Sequence, residues 1–433
     1  MMIRTPCKSE GCSATILPTT AEKTGGYCMP CRQETERQKR QQYIKDHRRD
    51  VDLYEGINDP VEILKIMHNR PPYDPLIKFI PYELNKEQLY ISLTEEDTDR
   101  MLTYAMNLLD SGDEDTSQDI LLSLVCYKNK SLATSIPVFI NRDIYYPGIL
   151  FKDASVEARD QLLNRVEHDT DNRNHLLLAL AWIGDEQIVQ RFREWRESPP
   201  PWVEETYVTP DTYTHEAGWK LNEDGERENL FHEFSYAIEK LKEVEDSSIE
   251  ASEPLTLLTE SSHTCQWCGG KMTTLLDFKV SHPTFLFLSM SGERLKLETC
   301  VKCSCYGVMY MDVDSNGESR WSTYNQRPDY LPVCNIEDYD NQHVSASKSF
   351  RLASKSRNSY YAAHWTLEPT VSQVGGHPTW IQDAEYPVCP CCSKRMIFFS
   401  QLDWGEVVEY GEGIYYMFIC SDCRITATSF QQS

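Results

Sequence analysis

No run of about 18 consecutive apolar residues occurs in this 433-residue chain, so no membrane-crossing helix is expected. The opening MMIRTPCKSE lacks the apolar core of a secretory leader, and a reducing, cytoplasmic setting is the expectation. The GxxxxGK phosphate loop, the dinucleotide pattern GxGxxG, the zinc-protease pattern HExxH and the nucleophile elbow GxSxG are all missing, which removes the most readable enzyme classes. The eleven histidines are scattered. His215 beside Glu216 and His232 beside Glu233 come nearest to a chemical pair, but no base, nucleophile and orienting group stand together. No catalytic residue is expected. Positive charge is scarce too, with 43 Lys and Arg against 67 Asp and Glu for a net charge of −24. Such a charge works against nucleic-acid binding and speeds encounter with basic partners.

What the chain does have is cysteine. Twelve of its sixteen cysteines form three sets of four: Cys7, Cys12, Cys28 and Cys31; Cys265, Cys268, Cys300 and Cys303; Cys389, Cys392, Cys420 and Cys423. Five of the six pairs are CxxC, a spacing that lets two thiolates from one tight turn meet the same tetrahedral metal, with a second pair closing the shell. Three structural Zn2+ sites are predicted. Of the remaining cysteines, Cys305 and Cys391 lie beside ligands, and either is able to replace one.

The overall expectation is an α+β chain of four parts. Residues 1–50 form a zinc knuckle and a basic helix, with ten Lys and Arg against six acids. Residues 51–198 read as helical, in a HEAT-like repeat arrangement. Thr94 and Asp97 make a capping-box start, Met101, Leu102, Ala105, Leu108 and Leu109 recur at helical spacing, and Ser-Gly-Asp at 111–113 stops the helix. Further helices are expected over Asp119 to Cys126, Val156 to Val166, Leu176 to Ile183 with a stop at Gly184, and Ile188 to Trp195. Residues 199–254 form an acidic connector, with fifteen acids and four bases between Glu204 and Glu253. Leu230, Phe234, Ile238 and Leu241 suggest one helix there. Residues 255–433 form a β-rich, zinc-stapled domain.

That last domain contains a repeat. CQWCGGKMTTLLDF from Cys265 matches CPCCSKRMIFFSQLD from Cys389, with Met272 and Met396 each four residues beyond the second cysteine and Asp277 and Asp403 near the ends. Each half runs through a β-rich stretch into its second CxxC. The expected unit is a β-hairpin clamped by zinc, with strands such as Thr284 to Met290 and Ile414 to Phe418. Asp277 and Asp403 are expected to cap turns.

The segment VGGHPTWIQDAEYPVCPCCSKRMIFFSQLD from Val374 to Asp403, followed by GEGIYYMFICSDC, resembles the zinc-knuckle repeat of the programmed-cell-death-protein-2-like superfamily and its bacterial relatives, which include toxin-immunity-type proteins. The matching residues are Gly375, Gly376, Pro378, Trp380, both cysteine pairs and Gln401 to Asp403; the first repeat lacks the glycine lead-in. The resemblance covers the C-terminal repeat and implies interaction without catalysis. It points to an immunity protein that neutralises a basic, nuclease-like toxin, or to a chaperone for a basic ribosomal protein. A third reading is a zinc-ribbon nucleic-acid binder acting through residues 1–50. The expected partner surface is Glu204, Glu205, Glu223, Asp224, Glu239, Glu243, Glu245 and Asp246. Trp202, Tyr207, Tyr213 and Trp219 are either aromatic anchors for the partner or core of the connector.

Overall fold

The computed structural model describes residues 4–240, 255–288, 290, 292–332, 350–408 and 411–432. The chain divides into two compact units, Met1–Leu89 and Tyr90–Ser433. Among the described residues no helix is long and apolar enough to cross a membrane.

In the first unit, β1 (Thr5–Pro6) and β2 (Thr15–Ile16) form a short antiparallel hairpin. The helix α1 (Pro18–Thr24) starts with proline in its first turn and stops at Gly25, whose φ of 69° suits a residue without Cβ. Then comes α2 (Met29–His47), which buries none of its residues. Helices polar on all sides need local side-chain support. Here Arg32–Glu36 and Arg37–Glu34 supply it as ion pairs of 2.9 and 2.8 Å. Beyond it, β3 (Arg49–Val51) pairs in parallel with β4 (Ile77–Phe79) across α3 (Pro60–His68), whose N–H at Val61 is capped by Asp59. The division between the units falls within α4 (Lys86–Ser92).

The second unit opens with helices. α5 (Glu95–Ser111) has the expected capping box, with Asp97 N–H donating to Thr94 Oγ1 at 3.1 Å, and Gly112 ends it at φ 89°. It packs on α6 (Glu114–Lys128), where Ser117 Oγ donates to the Ala105 carbonyl at 2.8 Å. After α7 (Ile136–Asn141), α8 (Val156–Val166) packs on α9 (Arg173–Ile183), which ends at Gly184, and α10 (Glu186–Glu197) begins at the Asp185 cap.

The connector differs from the expected helix. β5 (Trp219–Leu221) and β6 (Arg227–Asn229) make a hairpin, and β7 (Ser235–Lys240) is a strand inside a large sheet. Positions 230, 234 and 238 are spaced by four, and four is also twice the strand period of two. Of the three, Ile238 lies in β7, whereas Leu230 follows β6 and Phe234 precedes β7; Leu230 and Ile238 are buried, while Phe234 is 48% exposed. Leu241 lies outside the described residues.

Two antiparallel sheets follow. The smaller has the order β10-β9-β8, from β8 (Leu255–Thr264), β9 (Lys271–Lys279) and β10 (Arg294–Thr299). The segment Thr284 to Met290, expected as a strand, instead contains a 3-10 turn over Pro283–Leu288; Pro283 presets a helical φ, and a short apolar run does not distinguish strand from turn. The larger sheet has the order β12-β11-β17-β16-β15-β14-β7-β13. Its remaining strands are β11 (Met309–Val313), β12 (Ser319–Trp321), β13 (Phe350–Leu352), β14 (Gln373–Gly375), β15 (Ile397–Asp403), β16 (Ile414–Cys420) and β17 (Ile425–Gln431), with α11 (Trp404–Val407) after β15.

Both faces of β16 are covered, so all seven of its residues are buried. Tyr415, Met417 and Ile419 join Phe399, Leu276 and Phe278 in one core; Tyr416 and Phe418 join Trp380, Tyr386 and Phe398 in the other. A strand buried on both sides carries no polar alternation. Beside β7, Gly375 has φ 69°, and a Cβ there would lie 2.0 Å from the Phe234 carbonyl oxygen. No side chain fits that approach.

Two outcomes test this packing by chemical denaturation followed by tryptophan fluorescence. Phe418→Ala is expected to lower stability by about 3–5 kcal/mol. Gly375→Ala is expected to destabilise by about 1–3 kcal/mol or more, because φ and close approach both oppose it; an unchanged midpoint for either contradicts the packing described.

Candidate metal centres

In each of the three predicted sets, the four Sγ atoms lie within 4.8 Å of one another. A tetrahedral zinc with Zn–S bonds of ~2.3 Å implies S···S separations of about 3.8 Å. The separations Cys12–Cys28 at 3.8 Å, Cys265–Cys303 at 3.8 Å, Cys268–Cys300 at 3.6 Å and Cys392–Cys420 at 3.7 Å match that figure. All cysteines of the described chain are free of disulfides. The donor sets fit three structural zinc sites.

At the N-terminal centre, Cys7 follows β1, Cys28 caps α2 and Cys31 lies in the first turn of that helix. The Cys28 N–H donates to Cys7 Sγ at 3.2 Å and the Ser9 N–H donates to it at 3.5 Å. These two donors, Cys28 first, bring the Cys7 thiol down to about 7. Helix N-termini and backbone donors favour thiolate in this way.

The other two centres are built alike. The first pair of each sits in a turn, where Cys265 N–H donates to Gly270 and Gly269 N–H to Cys265, both at 2.8 Å. In the second copy Cys389 N–H donates to Lys394 at 2.7 Å and Ser393 N–H to Cys389 at 2.9 Å. The residue after each pair is left-handed, Gly269 at φ 76° and Ser393 at φ 61°. The second pairs stand where β10 and β16 end. Met272 and Met396 are both buried beneath their turns. Thr284 to Met290 aside, the repeat read from sequence is therefore a hairpin, β9–β10 or β15–β16, whose open end carries the four thiols.

Four thiols this close do not ionise together unaided. The Cys300 and Cys303 thiols are pushed far up, chiefly by Cys265 and then by Cys268. A divalent cation reverses that repulsion, and its binding expels the protons. A shell of four sulfurs leaves no position for water, so such zincs hold structure and activate nothing. Cys305 and Cys391 are exposed and stand outside the four-sulfur groups.

The predicted partner residues are dispersed. Glu204 and Glu205 lie on the 3-10 turn Pro201–Glu205, and Glu223 and Asp224 in the turn between β5 and β6. Glu205 pairs with Arg173 at 2.9 Å and Glu239 with Arg351 at 3.1 Å, so their charges are answered within the chain. Glu243, Glu245 and Asp246 lie outside the described residues. Of the four aromatics, Trp202 and Trp219 are core, with Trp219 Nε1 donating to the Ala181 carbonyl at 2.8 Å. Tyr213 donates to Asn174 at 2.5 Å, and Tyr207 alone is fully exposed. Asp403 does cap a turn, accepting from Gly405 N–H, whereas Asp277 pairs with Arg294.

Both histidines of the two sequence pairs are largely buried. Burial depresses His215 and His232 to about 4, and no hydrogen bond joins either to its neighbouring glutamate among the described residues. Burial, then the charge of Asp383, raises Glu216 to about 7. Sequence spacing gave no sign of the amides of Ser9 and Cys28 that serve Cys7, because chain spacing does not report which N–H groups converge.

The metal assignment is checked by elemental analysis and by titration. Purified protein is expected to carry about three zinc ions per chain, falling by about one in Cys389→Ser; full retention means that Cys391 or another group has taken over. Adding zinc to the stripped chain at pH 7 is expected to release protons from the raised thiols, and a titration without proton release contradicts the thiol states described.

No family model matches the chain, and no solved structure matches it. It is similar to a protein of Salmonella typhimurium (strain LT2) described as uncharacterized protein YpfL, with 37% identity over 437 residues and 99% of each chain covered. With that identity across its whole length, the chain belongs to the family of the Salmonella protein YpfL.

Proposed function

We propose that this protein is a non-catalytic, zinc-stabilised binding protein that acts as an immunity protein, holding a basic, nuclease-like toxin through tight protein–protein contact. The observation that carries the reading is the trio of closed four-thiolate shells: metal centres without an open position serve architecture. The net charge of −24 supports a basic partner. The helix pairs α5–α6 and α8–α9 would then act as a HEAT-like scaffold, and the free thiols suit the reducing cytoplasm. The likeness of the C-terminal repeat to the programmed-cell-death-protein-2-like superfamily points the same way.

Within the proposed surface, Glu204, Glu223 and Asp224 are exposed and have no ion pair among the described residues. They are the carboxylates best placed to answer a partner's cations. Electrostatic encounter of this kind accelerates association and weakens with salt.

The test is affinity purification of the tagged chain from its own host, washed at low and high salt, with mass spectrometry of what stays bound. One small basic protein retained at high salt is the expected result. Ribosomal proteins released by salt would replace this reading with the chaperone one, and RNA or DNA would replace it with binding through residues 1–50. With the partner in hand, Glu204→Lys, Glu223→Lys and Asp224→Lys together are expected to slow association about tenfold or more at low salt; an unchanged rate moves the interface elsewhere.

A further inference from the structure

Between the 365–371 segment, Thr379, Ile381 and the corner formed by β15 and α11 lies a cavity of about 380 Å³. That volume is within the usual range of ligand sites, ~300–1,000 Å³. Its walls are of two kinds. Leu367, Val371, Ile381 and Ile414 give it apolar sides, and Trp365 stands at it with 54% of its surface exposed. Glu368, Asp403 and Glu406 give it three carboxylates, and no lining residue is cationic. None of the three has an ion pair among the described residues.

Two of the carboxylates are held in place. Glu406 accepts the N–H groups of Val371 at 2.7 Å and Ser372 at 3.0 Å, and Asp403 accepts that of Gly405 at 2.8 Å. Burial raises both carboxyls, and the charge of Asp403 adds to the rise at Glu406. An anionic, partly desolvated pocket without a counter-charge is completed by a cation. Bare calcium is a poor match, because it takes six to eight oxygens and most of this lining is apolar.

We propose that this cavity binds a long organic cation, an ammonium or guanidinium on a methylene stem, with Trp365 over the cation or its stem and Glu368, Asp403 and Glu406 answering its charge. The apolar walls take the stem, as they would a lysine or arginine side chain. Face-on contact with indole is the strongest cation–π arrangement available to a protein. The cation's source is a side chain of the basic partner if the preceding reading holds, or a free amine if it does not; the chemistry of the pocket is the same.

The experiment is calorimetric titration of full-length, zinc-loaded protein with Nα-acetyl-lysine methylamide, with agmatine, and with the neutral isostere Nα-acetyl-norleucine methylamide. Saturable binding of at least one cation, with the neutral compound about tenfold weaker or worse, is expected. Trp365→Ala is expected to weaken the cation about fivefold, and Asp403→Asn, which retains the cap, about tenfold, with zinc content unchanged in both. Tighter binding of the lysine derivative assigns a chain-borne cation, and tighter binding of agmatine a free amine. Equal binding of the neutral isostere, indifference to both substitutions, or no saturable cation binding up to about 10 mM overturns the proposal. A lysine derivative that binds to a protein with no basic partner leaves the pocket standing and removes the toxin reading; a captured partner with an inert pocket does the reverse.

Discussion

Mutual repulsion among thiolates is the constraint on which the rest of the β-rich region depends. Holding four thiolates within 4.8 Å is unfavourable without a metal and favourable once a divalent cation accepts their charge. Each C-terminal centre ties a turn to the open end of a hairpin, so the strands inherit their alignment from the metal. The second centre is also part of a packed cluster, in which Cys265, Cys300 and Cys303 touch Trp267, Met309 and Met311. Metal and apolar packing are therefore one cooperative element there. At the N-terminus the balance is different, since only Ile16 accompanies Cys7 and Cys28 in the buried cluster, and the cation supplies most of what holds that knuckle.

The large sheet converts those clamps into a scaffold. The backbone of β16 alternates its side chains between two cores, with Phe418 and Tyr416 on one side and Met417 and Tyr415 on the other. The glycine pair that leads into Trp380 lets β14 approach β7, and Ser235 and Gln373 then hydrogen-bond at 2.8 Å inside the sheet. The former connector is thereby part of the β-rich region, and its acids are partly committed to internal pairs. Negative charge is thus less available along that connector than its composition implies, and the acidic cavity beside Trp365 draws its carboxylates from elsewhere in the chain.

What was legible in the sequence was whatever carries its own local signature. Cysteine spacing identified three clusters because ligands must come in pairs from tight turns. Thr94, Asp97 and Gly112 marked both ends of α5 because caps answer backbone groups within a few residues. Leu230, Phe234 and Ile238 misled because a spacing of four satisfies helix and strand alike, and only the sheet decides. Thr284 to Met290 misled because a short apolar run has no period of its own. The cavity was not legible at all: Trp365, Asp403 and Ile414 come from three separate stretches and meet only through the tertiary fold.

The pairing of β11 with β17 joins the tails of the two repeat units to each other. The bond from Thr426 to the Met311 carbonyl spans 115 positions, and that from Ser235 to Gln373 spans 138. Contacts so distant in sequence make folding slow, since the chain must close long loops before they form. During synthesis β7 emerges long before β14 and β11 long before β17, so the early strands leave the ribosome with unpaired edges and wait for the C-terminal strands. The large sheet closes only once β17 is made, so a product truncated before it would expose those edges and invite aggregation or removal.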